Sequence, residues 1–376
     1  MNEPILSVVL AVYNGERYLA EAIRSILDQS YQDFELIIVS EHDTSTESLE
    51  IISSFPDERI VHIHNAEKLG LVRSLNLAMS KAHGRFIARM DSDDICEKDR
   101  FGRQVRFLEE RPDIAAVGSD IVMIDGDGKR IAKIRYPHHP LVIGWEMYYR
   151  SAIANSSVML RSEVIKITGA YDEGTPLAED YCLWLRLLKI SKIANLPKSL
   201  LRYRVHGHNV STVREEEMEG IADRLACEAI AELIGESPSK EAVACLRDRS
   251  RIRTASQGKQ AAELLIVMHR RYIQLHLSTW IDLVCIHAVT LRLQIAISLR
   301  FIRSDWRGAL RTIWCSISLS PITALPAIIY AAGELFAYRR KMRKLGLMLR
   351  AEGTLKDLDF VKEIYTGLTT DRKSVV

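Results

Sequence analysis

The stretch Phe86-Ile87-Ala88-Arg89-Met90-Asp91-Ser92-Asp93-Asp94 is an apolar run that ends in three carboxylates within four positions. If residues 86–90 form a buried strand, the acids stand at its carboxyl end, where open α/β sheets bind their ligands. Carboxylates this close repel one another and are best tolerated when a cation neutralises them. A hard divalent ion, Mg2+ or Mn2+, is the natural one. Such ions keep few protein ligands and also take substrate phosphates. The stretch therefore predicts one site for a metal and a diphosphate.

Upstream, apolar runs alternate with helical spacing. Residues 5–11 form a valine-rich run, residues 34–39 a second and residues 60–64 a third. Helical patterns lie at 18–28, 48–55 and 71–81; in the first, Leu19, Ala22, Ile23, Ile26 and Leu27 share a face. Strands alternating with helices predict βαβ units and a mostly parallel sheet. Strands buried on both faces read as unbroken apolar runs, as most of these do. Downstream the pattern predicts a helix at 98–110, stopped near Arg111-Pro112, a strand at 114–117 and a tight turn at Gly126-Asp127-Gly128. Short strands at 155–160 and 193–196 flank a helix at 181–189, and a last strand covers 201–205. The first domain is thus residues 1–212.

Residues 213–376 have a different character. A polar amphipathic helix at 215–234 is followed by the loop Gly235-Glu236-Ser237-Pro238-Ser239, and beyond Arg251 the chain reads as helix rich in Arg, Leu, Ile and Trp. Residues 313–333 carry no charge and are long enough to cross a bilayer, although Pro321 and Pro326 interrupt them. Arg339, Arg340, Lys341, Arg343 and Lys344 follow. A basic cluster beside apolar helices is the composition of a segment lying on an anionic membrane face. The alternatives are a helical domain packed on the first domain or on a second copy, giving a homo-oligomer, and a true span.

The 376 residues, 47% of them hydrophobic, allow a substantial core and two domains. A net charge of +2 does not point to nucleic acid. Six scattered cysteines, without Cys-x-x-Cys or zinc spacing, read as reduced thiols of a cytoplasmic protein. The N-terminus lacks the basic segment of a secretory signal.

Five segments occur in order: Ser7-Val8-Val9-Leu10-Ala11-Val12-Tyr13-Asn14-Gly15-Glu16, Gly70-Leu71-Val72-Arg73-Ser74-Leu75-Asn76, residues 84–94, Ala178-Glu179-Asp180-Tyr181-Cys182-Leu183-Trp184-Leu185-Arg186, and Arg202-Tyr203-Arg204-Val205-His206. They resemble the opening strand and turn, the nucleotide-side helix, the Asp-x-Asp strand, the acceptor-side helix and the closing loop of the family 2 glycosyltransferases. One such segment would be weak evidence; five in order are specific. The resemblance spans residues 5–211. It implies the GT-A fold, an α/β, Rossmann-like, mostly parallel sheet flanked by helices, here with an α-helical C-terminal extension. It also implies inverting, metal-dependent transfer of a sugar from a nucleotide-diphosphate donor to a hydroxyl of a glycan or lipid-linked glycan; the membrane-leaning tail points to a lipid-carried acceptor, as in cell-surface polysaccharide assembly.

The resemblance assigns Asp93 to the metal and Asp91 to the nucleoside or metal side, whereas Asp94 reads as a cap of the following helix. Glu179 and Asp180 are either N-terminal caps of an apolar helix or acids of a proton transfer. Inverting transfer needs one carboxylate to take the proton of the acceptor hydroxyl as its oxygen attacks C1. By the resemblance Asp180 is that base, and Glu179 orients it or touches the acceptor. Arg204 and His206 lie on a loop able to close over the diphosphate, where cations stabilise the leaving group. His206 is alternatively a metal ligand, and the plain alternative for the pair is a surface ion pair beside a solvated histidine.

Ala11 and Tyr13 lie at the end of the first strand, where a nucleobase can stack; Asn14 either bonds the base or builds the turn with Gly15. Glu41 falls where the family has the first of two aspartates, the one that reads the base, and His42 at the second. This departure leaves the base open. Gly70 permits close approach of backbone to base, and Asn76 lies on the nucleotide-side helix. Asn155-Ser156-Ser157 stands where many relatives begin with His-Pro. Trp145 and Tyr148 are candidates for stacking on a sugar, and Trp184 reads as core. The rival from another class is a non-catalytic nucleotide-sugar-binding scaffold of the same fold, which the altered 40–45 segment alone favours. A nucleotidyltransferase would show a glycine-rich basic loop after the first strand, which residues 11–17 are not. Donor sugar, base (UDP, GDP or dTDP), acceptor and linkage are set by pocket shape, not by these motifs.

Overall fold

The computed structural model describes residues 4–207, 214–276, 279–301 and 304–318. The chain divides into two compact units, Met1–Leu225 and Ala226–Val376. The division falls inside helix α8 (Glu215–Ile234).

The first unit runs β1 (Leu6–Val12), α1 (Glu16–Leu27), β2 (Phe34–Ser40), α2 (Thr46–Ser53), β3 (Ile60–His64), α3 (Leu71–Ser80), β4 (Phe86–Met90), β5 (Ile95–Cys96), α4 (Arg100–Glu110), β6 (Ile114–Ile124), β7 (Arg130–Ile134), α5 (Pro140–Glu146), β8 (Met159–Arg161), α6 (Ser162–Thr168), α7 (Glu179–Leu188) and β9 (Lys192–Arg204). The sheet order is β3-β2-β1-β4-β8-β6-β9-β5, with β7 on β6. The strands through β4 pair in parallel, as the βαβ pattern predicts. Beyond β4 the sheet is mixed: β8 runs antiparallel to both β4 and β6, while β6 and β9 are parallel. The order places β2 and β3 on one side of β1 and β4 on the other. That reversal opens a crevice at the carboxyl ends of β1 and β4, where Tyr13 and Asp91 emerge.

The core explains the alternation. Val8, Leu10, Ile38, Ala88 and Met90 of the central strands pack with Leu19, Ile23 and Ile26 of α1 in one cluster. Residues 193–196 and 201–205, expected as two strands, are one strand, β9. Its register on β6 jumps from Ser119–Leu196 to Asp120–Ser199, so Pro197 sits in the irregularity, where a missing N–H costs no ladder bond. Residues 155–160 split into a turn of 3-10 helix and β8. Trp145, on the unexpected helix α5, is fully buried like Trp184 and is therefore core, not a sugar platform; Tyr148 beside it is half-buried.

The second unit contains α9 (Lys240–Arg247), α10 (Ala255–His276), α11 (Trp280–Phe301) and α12 (Trp306–Ser318). Among the described residues one helix, α11, is long and apolar enough to cross a membrane, and most of it is buried inside the protein, as in a core helix. Of the uncharged run 313–333, residues 313–318 end α12; the remainder and the basic cluster at 339–344 lie outside the described residues. Among the described residues no disulfide joins any of the six cysteines.

Candidate active site

On the nucleotide side, Ala11 is half-buried and Tyr13 is 50% exposed at the end of β1. Lys68 Nζ lies 4.8 Å from the Tyr13 ring centroid and 2.8 Å from Asp43, which also accepts from the Tyr13 hydroxyl at 3.4 Å. Asn14 builds the turn: its φ is 49° and its Oδ1 accepts from the Ser45 N–H at 2.9 Å. Glu41 is turned into the protein. It is 5% exposed and its carboxylate accepts from the Leu69 N–H at 2.8 Å and from the Ser74 hydroxyl at 2.5 Å. These bonds fasten Glu41 to the loop before α3 and to α3 itself. Asn76 is likewise turned inward. Its Nδ2 donates to the Tyr171 carbonyl at 2.8 Å and its Oδ1 accepts from the Tyr171 N–H at 3.0 Å, which uses up the amide as a clamp. Gly70 has φ 80° and ψ 166°, a region nearly closed to side chains, with nothing within 4 Å of an added Cβ. Backbone conformation, not crowding, requires glycine there.

The three acids after β4 have three environments. Asp94 caps no helix. It is 1% exposed and accepts from the Arg204 N–H at 2.8 Å and the Ser156 hydroxyl at 2.6 Å, so the altered Asn155-Ser156-Ser157 segment braces the acid turn from behind. Burial, then Asp91 and Asp93, push its carboxyl well above the ordinary range. Asp93 Oδ2 lies 3.0 Å from His206 Nε2. Burial and the nearby Asp91 charge raise the Asp93 carboxyl, and His206 opposes them. Asp91, about one-third exposed, accepts from Arg89 through its Oδ1.

Arg204, a candidate for the diphosphate or for an ion pair, is 2% exposed and its guanidinium is bonded within the protein. Nε donates to the Asp93 carbonyl at 2.9 Å, Nη1 to the Asp125 and Gly126 carbonyls at 3.3 Å, and Nη2 to Glu21 at 2.5 Å. It also lies 4.4 Å from the Tyr18 ring centroid. It anchors the acid turn, leaving His206 as the member of that pair beside Asp93.

Across the site, Glu179 and Asp180 begin α7. Glu179 is 5% exposed and Asp180 half-buried. Burial raises the Asp180 carboxyl and Arg89 opposes it; burial and Asp180 raise Glu179. Leu177, just upstream, is held at φ 74°, a conformation that costs a non-glycine residue of order 1–2 kcal/mol and must be enforced by its surroundings. The residue that sequence reasoning passed over is Arg89. A cation inside an apolar strand had to be paired, and that was the available signal.

Could these residues hold a metal? Carboxylate oxygen and imidazole nitrogen suit Mg2+ or Mn2+. Among the described residues no three such side chains gather closely enough to hold an ion by themselves. Asp93 and His206, however, match an ion that takes one or two protein ligands and fills its shell with water and phosphate.

Residues 7–165 match the family model described as glycosyl transferase family 2. The chain is 32% identical over 240 residues to an uncharacterized glycosyltransferase of Haemophilus influenzae, covering 61% of this chain and 74% of the relative. It is 33% identical over 206 residues to the O-antigen biosynthesis glycosyltransferase WbnJ of Escherichia coli, covering 54% and 80%. Among solved structures, residues 1–349 of S. aureus TarS in complex with UDP-GlcNAc align with a TM-score of 0.53 and 16% identity, covering 84% of this chain and 91% of that one. This likeness establishes the fold alone, a GT-A mixed sheet flanked by helices with a C-terminal helical region.

Proposed function

Because the chain belongs to glycosyl transferase family 2, we propose that it moves a sugar, with inversion, from a nucleotide-diphosphate donor to a hydroxyl of a glycan or lipid-linked glycan. The observation that carries this reading is the meeting of two acid groups through one side chain. Arg89 lies 3.1 Å from Asp91 at the end of β4 and 3.8 Å from Glu179 at the start of α7, so donor-side and acceptor-side acids border one site.

In this reading Tyr13 offers its exposed ring to the base, with Lys68 and Asp43 beside it. Asp91 faces the nucleoside. Asp93 and His206 would hold Mg2+ or Mn2+, which supplies positive charge for the departing diphosphate. Asp180 takes the proton from the acceptor hydroxyl as that oxygen attacks the anomeric carbon, and no covalent enzyme intermediate forms. Glu179, fixed by Arg89, orients the base. The relative named for O-antigen biosynthesis supports a polysaccharide acceptor. The protein of like fold in complex with UDP-GlcNAc supports a nucleotide-sugar donor.

The test is release of nucleoside diphosphate from a panel of UDP-, GDP- and dTDP-hexoses in Mn2+, with water as the acceptor. One member is expected to be turned over and EDTA to stop it. A panel that the protein neither binds nor cleaves would sink the reading. We further place the protein at the cytoplasmic face of a membrane, held by its basic, apolar C-terminal segment and acting on a lipid-carried acceptor. Removing residues 319–376 is then expected to shift the protein from anionic vesicles to the soluble fraction. Unchanged partition would refute membrane attachment through that segment.

A further inference from the structure

Arg89 lies between Ala88 and Met90, both fully buried, and is itself 6% exposed. A guanidinium there is tolerated only with its donors met, because an unpaired buried charge is strongly destabilising. Nε and Nη2 both reach Asp91 Oδ1, at 3.2 and 3.1 Å. Nη1 donates to the Tyr171 hydroxyl at 3.4 Å and lies 3.8 Å from Glu179 Oε1. The guanidinium carbon is 5.5 Å from the centroid of the Tyr171 ring. Tyr171 is itself immobilised, since Asn76 holds both its N–H and its carbonyl. The planar fork therefore joins three elements: the acid turn after β4, the segment before α7 that carries Tyr171, and the first turn of α7.

We propose that Arg89 is a positioning residue for sugar transfer: it fastens Glu179 and the first turn of α7 to the donor strand and so fixes where Asp180 stands relative to the donor sugar. This rests on the functional reading above. A base held within reach of one hydroxyl gains its rate from placement, and an error of about 1 Å costs on the order of 100-fold. Lysine keeps the charge but cannot span Asp91, Tyr171 and Glu179 together, because its ammonium is a point donor.

Wild-type nucleoside-diphosphate release from the panel is measured first, so failure of the functional reading is seen apart from any effect of Arg89. On the donor that is turned over, Arg89→Met is expected to lower kcat by about 100-fold. Arg89→Lys should recover about tenfold of that loss. Adding Glu179→Gln to Arg89→Met should lower kcat no further, since Arg89→Met already removes the contact that Glu179→Gln weakens. An Arg89→Met kcat within about threefold of wild type overturns the proposal, as do losses that multiply in the double variant. Should Arg89→Met fail to fold, Tyr171→Phe decides. A kcat several-fold lower at unchanged Tm supports the proposal, and an unchanged kcat overturns it.

Discussion

Asp180→Asn is expected to lower transfer by about 10²- to 10⁴-fold, the usual worth of a positioned general base, while nucleotide-sugar binding persists. The amide keeps the shape of the side chain but cannot take a proton. Donor binding, in this reading, uses groups at the ends of β1 and β4, so its affinity should survive. The pH dependence gives a second check. Burial raises the Asp180 carboxyl above its ordinary value of 3.8, although Arg89 pulls the other way. The base is active only when ionised, so wild-type activity should fall as pH drops through a value above 3.8, and the residual activity of Asp180→Asn should lack that acid limb. Product release by the variant at the wild-type rate would remove Asp180 from the mechanism.

Arg204→Met should act mainly on stability. The methionine fills much of the arginine stem's space but leaves the carbonyls of Asp93 and Gly126 without the Arg204 donor, while the Asp125 carbonyl keeps the Gly128 N–H. A buried orphan costs about 1–3 kcal/mol; with two part-buried carbonyls losing that donor, a total loss of about 2 kcal/mol is expected. The ion pair with Glu21 adds little, because that carboxylate is half-exposed and screened. Urea unfolding of the variant measures this directly. Weakened donor binding at unchanged stability would instead return Arg204 to the diphosphate. The same change releases the Asp93 carbonyl, so the Asp93–His206 contact should loosen with it.

The parallel half of the sheet was readable because its signal is local. The apolar runs at β1, β2, β3 and β4 sit within a residue or two of where periodicity puts them. The second half was less legible. β9 reads as two strands because Pro197 and Lys198 interrupt its apolar pattern, and only pairing with β6 shows that the strand continues across them. β5, β7, α5 and α6 are short elements whose few residues carry no periodic signal.

Residue types at the site divide in the same way. The sequence by itself determined that carboxylates cluster after an apolar strand and that a second acidic pair opens a later helix, because chemical identity and short-range spacing are written in the chain. Which group each one meets was decided only by the tertiary structure. Asp94 and Arg204 are 110 positions apart and hydrogen-bonded, Asn76 and Tyr171 are 95 apart and hydrogen-bonded, and Arg89 and Tyr171 are 82 apart. Glu41, half-buried Asn76 and Arg204 became fastenings because polar groups removed from water must find partners, and the fold supplied inward partners to all three. A side chain's job depends on whether its donors and acceptors are satisfied from within or left facing the cleft, and that is fixed by packing between segments distant in sequence.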